Sequence, residues 1–240
     1  MAQAQDKFVL YSANICPFAQ RAWLALLYKG VDFEILTCDL NDKQEFFTKA
    51  YAKALGHDPS SNGKVPILDH NGKFLTESLA IVRYLDLLFP DTKPLFPKKP
   101  IDRVAVELIT EFAGGVVGGF YGVLSEKDDQ KRQEKKKQLK GNCEISKEGP
   151  FYLGDQISFF EIATFPFVDR FIVNEFLFEK GQGMTLEECF EGNDRLKHWY
   201  EALKKQPFVQ AVHAKIVKDS GEKTVYDFFI KQYKEYAKKR

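Results

Sequence analysis

Apolar residues in the first third of the chain fall in short blocks separated by polar turns. Phe8-Val9-Leu10-Tyr11 is a continuous apolar run of strand length. After Ser12-Ala13-Asn14-Ile15-Cys16-Pro17 the pattern changes period: Phe18, Ala22, Ala25 and Leu26 recur at helical spacing, with Pro17 in the first turn and Gly30 as the stop. Phe33-Glu34-Ile35-Leu36-Thr37 predicts a second strand, and Gln44 to Leu55 a helix. Val65 to Asp69 and Lys73 to Thr76 predict two strands joined by Asn71-Gly72, a strong hairpin signal. Ser78 can cap a following helix whose Leu79, Val82 and Leu85 share one face. The order β-α-β-α-β-β-α argues for a mixed sheet covered by helices.

Pro90, Pro94, Pro97 and Pro100 interrupt this alternation. Repeated prolines stop helices and stiffen linkers, so the predicted organisation is a domain over 1–88, a linker over 89–100 and an all-α domain over 101–240. Helical patterns cover Asp102 to Leu124, Lys131 to Lys140, Ser158 to Phe171, Asp194 to Lys205 and Val225 to Lys238. Gly114, Gly118 and Gly122 align on one face of the first of these. Close helix packing is the favoured reason; a roomy acceptor cleft that Phe120, Tyr121, Phe167, Phe171 and Trp199 could line is the other. The basic run Lys131-Arg132, Lys135-Lys136-Lys137 and Lys140, with Glu126, Asp128, Asp129 and Glu134 beside it, reads as a solvated helix face.

Charge narrows the classes of partner. Lysine plus arginine number 35 against 34 for aspartate plus glutamate, so bulk charge predicts neither nucleic-acid nor acidic-membrane binding. MAQAQDKFVL has no basic region followed by an apolar core, so no secretory signal is expected. No stretch reaches the ~18 uninterrupted apolar residues of a membrane span. The four cysteines, Cys16, Cys38, Cys143 and Cys189, form no CxxC pair, and neither they nor the histidines His57, His70, His198 and His213 show metal-ligand spacing. A reducing cytoplasm, free thiols and no metal are the expectation.

Three local features carry candidate chemistry. A thiolate, not a thiol, attacks disulfides, and Cys16-Pro17 places sulfur at a helix N-terminus, where unpaired N–H groups and the helix dipole favour the anion. A lone cysteine beside a strand is as readily a small buried hydrophobe. Val65-Pro66 precedes a strand; a cis bond there would turn the Val65 backbone outward to pair with a peptide-like ligand, whereas a trans proline at an edge strand is also common. Glu77-Ser78 opens the next helix: Ser78 offers donors for a carboxylate and Glu77 a carboxylate for an ammonium, or the pair is a plain cap.

CPFAQR, the VP before a strand, ESLAIVRYLD and FYLGDQISFFEIATFPFVDRF together resemble the glutathione transferases, in particular the cysteine-type omega and lambda classes, over the whole chain. The last stretch includes a capping box of Ser158 and Glu161, where the family more often has Asp at the second position. The resemblance implies a thioredoxin-like α/β domain followed by a helical domain, with glutathione as co-substrate. It implies that Cys16 forms the mixed disulfide, that Val65 pairs its backbone with the cysteinyl part beside a cis Pro66, and that Glu77 and Ser78 hold the γ-glutamyl end. Lys49 or Lys53 would take the glycyl carboxylate, Phe18 and Lys64 belong with the glutathione-binding residues, and an insertion occupies His57 to Asn62. After Cys16 come Pro17 and Phe18, and Ala19 stands where a dithiol CxxC enzyme carries its second cysteine, so the chemistry is monothiol and free glutathione resolves the mixed disulfide.

The expected activity is therefore thiol transfer or dehydroascorbate reduction. A chloride-intracellular-channel-like protein shares the CPF-QR pattern and is the first rival; its membrane segment would fall near Ala22 to Leu40, where Lys29, Asp32, Glu34 and Asp39 are costly in lipid. A redox-silent glutathione-binding protein is the second. The expected acceptor is a small molecule or a glutathionylated thiol, and monomer and homodimer are both compatible with the family.

Overall fold

The computed structural model describes residues 6–56, 63–141, 149–178 and 183–238. The chain divides into two compact units, Met1–Pro94 and Leu95–Arg240, parted inside the proline-rich segment. The insertion at 57–62 and Cys143 lie outside the described residues.

The first unit is a four-stranded sheet with helices: β1 (Phe8–Ser12), α1 (Pro17–Lys29), β2 (Glu34–Thr37), α2 (Glu45–Leu55), β3 (Ile67–His70), β4 (Lys73–Thr76) and α3 (Ser78–Leu88). The sheet order is β2-β1-β3-β4. β1 pairs parallel with β2, antiparallel with β3, and β3 antiparallel with β4. β3 starts at Ile67, two residues later than the apolar pattern suggests, because Val65-Pro66 leads into the ladder without joining it. Leu10, Leu24, Leu26, Ile67, Leu68, Val82 and Leu85 form the dry interior. α1 ends as predicted: Gly30 takes φ 72°, and its N–H returns to the last turn.

α1 and α3 are also joined by a buried ion pair. Lys29 Nζ lies 2.6 Å from Asp86 Oδ1 and donates to the carbonyls of Phe89 and Thr92 at 3.0 and 2.9 Å. Each ammonium proton thus has an acceptor, which is what makes a buried lysine tolerable.

The second unit is helical: α4 (Pro100–Phe112), α5 (Gly114–Ser125), α6 (Asp129–Gly141), α7 (Phe159–Val168), a 3₁₀ turn (Phe171–Val173), α8 (Asn174–Leu177), α9 (Leu186–Phe190), α10 (Asp194–Lys204), α11 (Pro207–Ser220) and α12 (Val225–Lys238). The single helix expected over Asp102 to Leu124 is two, divided at Ala113. α11 escaped the periodicity reading although Pro207 and Gly221 bracket it. Phe120, Phe167, Phe171 and Trp199 are core residues with no exposure, which removes them as candidates to line an acceptor cleft. Close packing does not explain Gly114 or Gly118, where an added Cβ would meet nothing within 4 Å, while at Gly122 it would meet Lys135 Cδ at 3.6 Å.

The basic run on α6 is not wholly solvated either. Arg132 is buried, donating to the Glu126 carbonyl at 3.0 Å and lying 4.6 Å above the Phe178 ring, and Lys136 pairs with Glu188 at 2.6 Å. The Ser158–Glu161 capping box is present as read. By length and composition alone Pro100–Ser125 could cross a membrane, with mean hydropathy 1.3. α4 within it exposes a stripe of Ile101, Val104, Leu108 and Phe112.

Candidate functional site

The strand directions bring four segments to one rim of the sheet. β1 and β2 end there, β3 begins there and β4 ends there. The residues just beyond those strand ends enclose a cleft of about 450 Å³. Cys16 and Phe18 line it from α1, Leu40 and Lys43 from the segment after β2, Gly63 to Pro66 from the approach to β3, and Thr76 to Ser78 from the passage between β4 and α3.

Cys16 is the N-cap of α1. Its backbone N–H donates to the Ala13 carbonyl at 2.9 Å, and its carbonyl accepts from Gln20 N at 3.1 Å. This turn holds Cys16 at the helix start, half-buried against the cluster of Ala13, Cys38, Phe47, Ala50, Tyr51 and Ile67 and lining the cleft. Cys38 is different. It is 3% exposed, and burial is the main force pushing its thiol up to about 11. Among the described residues Cys16, Cys38 and Cys189 are free thiols, and Cys16 is the one that lines the cleft.

The Val65–Pro66 bond is cis. Gly63 positions the approach to it: φ is 80°, and an added Cβ would lie 2.9 Å from Tyr51 Cγ and 3.0 Å from Phe47 Cε1. Only glycine satisfies both the dihedral and the space. Its carbonyl accepts from Lys43 Nζ at 2.8 Å, so a cation is fixed at this end of the cleft. At the other end Glu77 adopts φ 69° at the N-cap of α3, a conformation that costs a non-glycine residue about 1–3 kcal/mol and tends to mark functional positions. Ser78 is 6% exposed and accepts from Arg21 Nη1 at 3.3 Å.

The eight residues singled out from sequence therefore separate. Cys16, Phe18, Lys64, Val65, Pro66, Glu77 and Ser78 come together around the cleft, and Lys49 does not. Lys49 pairs with Glu45 at 2.6 Å, with 68% of its side chain exposed. Lys53 lies over the Phe74 ring at 4.9 Å. The lysine missed from sequence is Lys43. Its contact with Gly63 spans twenty residues, and a lone lysine after a strand carries no local signal. No group of three or more His, Cys, Asp or Glu suited to a metal ion occurs among the described residues.

Comparison with known proteins gives the chain's family and fold relatives. The family Glutathione S-transferase, N-terminal domain, matches residues 10–93. The chain is 28% identical over 218 residues to glutathione transferase omega-1 of Caenorhabditis elegans, covering 87% of this chain and 82% of the relative. It is 30% identical to glutathione S-transferase L3 of Arabidopsis thaliana over 171 residues, covering 69% and 68% respectively. Among solved structures, glutathione transferase Omega 3C from Trametes versicolor superposes with a TM-score of 0.70 at 24% identity, covering 88% of this chain and 90% of that one.

Proposed function

This chain belongs to the glutathione transferase superfamily, on its omega- and lambda-like side, and from that premise we propose that it is a monothiol, glutathione-dependent thiol transferase with Cys16 as its nucleophile. The observation that carries the reading is the placement of Cys16 at the N-cap of α1, on the wall of a cleft lined also by Val65-Pro66 and Glu77-Ser78. Phe18 follows two residues later, leaving no second thiol within the motif.

Glutathione fits the polarity of the cleft from end to end. Glu77 pairs its ammonium, and Ser78 with the start of α3 receives the γ-glutamyl carboxylate. The Val65 backbone pairs with the cysteinyl unit in the manner of an added strand. Lys43, in place of Lys49, takes the glycyl carboxylate. Cys16 thiolate attacks the glutathionyl sulfur of a mixed disulfide, forming Cys16–S–S–glutathione and expelling the acceptor thiolate, which takes a proton from water. A second glutathione thiolate attacks that glutathionyl sulfur, releasing oxidised glutathione and restoring the Cys16 thiolate. Dehydroascorbate is the small-molecule acceptor for the same cycle, in which glutathione supplies both electrons.

We place the protein in the cytoplasm, where glutathione is abundant and reduced. The exposed stripe on α4 supports association with a second copy, which light scattering measures. The test of the enzymatic reading is intact mass after exposure to oxidised glutathione, followed by turnover of a glutathionylated peptide. One glutathionyl adduct on Cys16 and catalytic turnover are expected. An adduct without turnover favours a binding protein instead.

A further inference from the structure

We infer, resting on the function proposed above, that Lys64 selects acidic acceptors, so that the preferred mixed disulfide is one whose glutathionylated cysteine is flanked by aspartate or glutamate. The argument is charge balance. Glutathione carries one ammonium and two carboxylates. Glu77 answers the first, the Ser78 helix start and Lys43 answer the others, and Glu77 is the sole carboxylate among the residues lining the cleft. Lys43 is anchored on Gly63 at 2.8 Å, which puts its ammonium next to the residue that precedes Lys64. Lys64 is then a second cation at the same end. It lines the cleft, its side chain is exposed, and it makes no hydrogen bond or ion pair among the described residues.

A cation left over after glutathione is neutralised acts on whatever else enters. Its field reaches about one screening length, ~8–10 Å in physiological salt, which covers the residues on either side of a glutathionylated cysteine. The same cation favours departure of the acceptor thiolate, because that step adds negative charge at this end when the acceptor sulfur leaves. A neutral acceptor such as dehydroascorbate gains nothing from it.

The test assays the full chain at low ionic strength on three glutathionylated peptides of equal length, with aspartate, alanine or lysine flanking the cysteine. The expected kcat/KM for the aspartate peptide exceeds that for the lysine peptide by roughly fivefold, the size of an exposed charge–charge effect. That ratio should fall toward one in about 0.5 M salt, where the screening length is only several ångströms. It should also fall toward one in Lys64→Leu, persist in Lys64→Arg and invert in Lys64→Glu. A wild-type ratio of one, or a preference retained in Lys64→Leu, overturns the role of Lys64 while leaving the transferase reading intact. Absence of turnover on the alanine peptide overturns that reading, and this inference with it.

Discussion

Arg21 donates from Nη1 to Ser78 Oγ over 3.3 Å, tying the first helix to the residue at the start of α3 that lines the cleft. From sequence Arg21 suggests a surface charge one turn beyond Cys16. It is instead 7% exposed, with its guanidinium 5.3 Å from the Phe18 ring centre. One side chain therefore touches both Phe18 on one wall of the cleft and the Ser78 hydroxyl, the group proposed above to meet the γ-glutamyl carboxylate. Arg21→Ala should weaken glutathione binding and lower stability by about 1–3 kcal/mol, the usual consequence of leaving a buried hydrogen-bonding partner unmet. Arg21→Lys should recover only part of this, because a point-charge ammonium does not replace a planar fork. Calorimetric titration with glutathione and denaturant melts read the two effects separately; unchanged affinity in Arg21→Ala would leave Arg21 purely structural.

Cys16→Ser tests the nucleophile. Cys16 makes no side-chain cap hydrogen bond, while serine is a preferred N-cap residue. Stability should hold or rise by a few tenths of a kcal/mol, and thiol transfer should disappear. Thiol-transfer rates near wild type would remove Cys16 from the mechanism.

The lysines are separated by a paired comparison. Lys43→Ala should raise the apparent KM for glutathione by about tenfold or more, the scale of a charge-assisted hydrogen bond to a carboxylate. Lys49→Ala should leave it unchanged, since that side chain is solvated and bonded to Glu45 on the outside of α2. Equal effects of the two substitutions would mean that the glycyl end lies elsewhere.

What the sequence disclosed here were features with local causes. Asn71-Gly72 makes the hairpin, Gly30 terminates α1, and Ser158 with Glu161 caps α7; each depends on residues within a few positions. The cysteine-proline step and Val65-Pro66 are local too, and both are found at the cleft. Lys43 carries no local signal, and Arg21 reads as a surface charge, because their contacts run across twenty and fifty-seven residues. The break at Ala113 was hidden by an apolar pattern that runs through it, from Phe112 to Val116 and Val117. Burial of Trp199 and its aromatic neighbours follows from packing that helical spacing cannot distinguish from a lined cavity.

Burial should make Cys38 far less reactive than an ordinary thiol. With its thiol pushed up to about 11 by burial, the thiolate fraction at pH 8 is roughly one in a thousand. Iodoacetamide labelling resolved by peptide mass spectrometry should therefore find Cys38 almost unmodified at pH 8 in the folded protein and fully modified once it is denatured. The raised value also has a stability consequence of definite sign. Folding favours the neutral thiol, so this contribution is present below the ordinary thiol range and is lost as pH rises toward 11. Cys38→Ala should remove that alkaline component; labelling of native Cys38 as fast as a free thiol would contradict the burial seen here.

The last prediction concerns the core of the second unit. Asp169 is fully buried and accepts from Tyr200 and Tyr226 hydroxyls at 3.0 and 3.1 Å, with His213 Nε2 at 2.9 Å. Arg170 beside it lies 4.2 Å over the Phe229 ring and donates to the Pro166 carbonyl at 2.6 Å. Burial by itself opposes a charge on Asp169. The His213 charge and hydrogen bond, the Arg170 charge and the Tyr200 hydroxyl outweigh it and hold the carboxyl below its usual range. A lowered value means that the ionised carboxylate stabilises the fold above the unfolded-state range near ~3.9 and that this stability is lost as pH falls through the native value. Asp169→Asn keeps the shape and removes the buried negative charge that His213 and Arg170 stabilise. The expected loss is about 3–5 kcal/mol at neutral pH, as for other buried pairs deprived of one partner. Because the carboxylate no longer titrates, the variant should also lose less stability than wild type between pH ~5 and pH ~2. Denaturant melts across that range measure both, and an Asp169→Asn protein with wild-type stability at pH 7 would show that neutral hydrogen bonds suffice to hold this cluster.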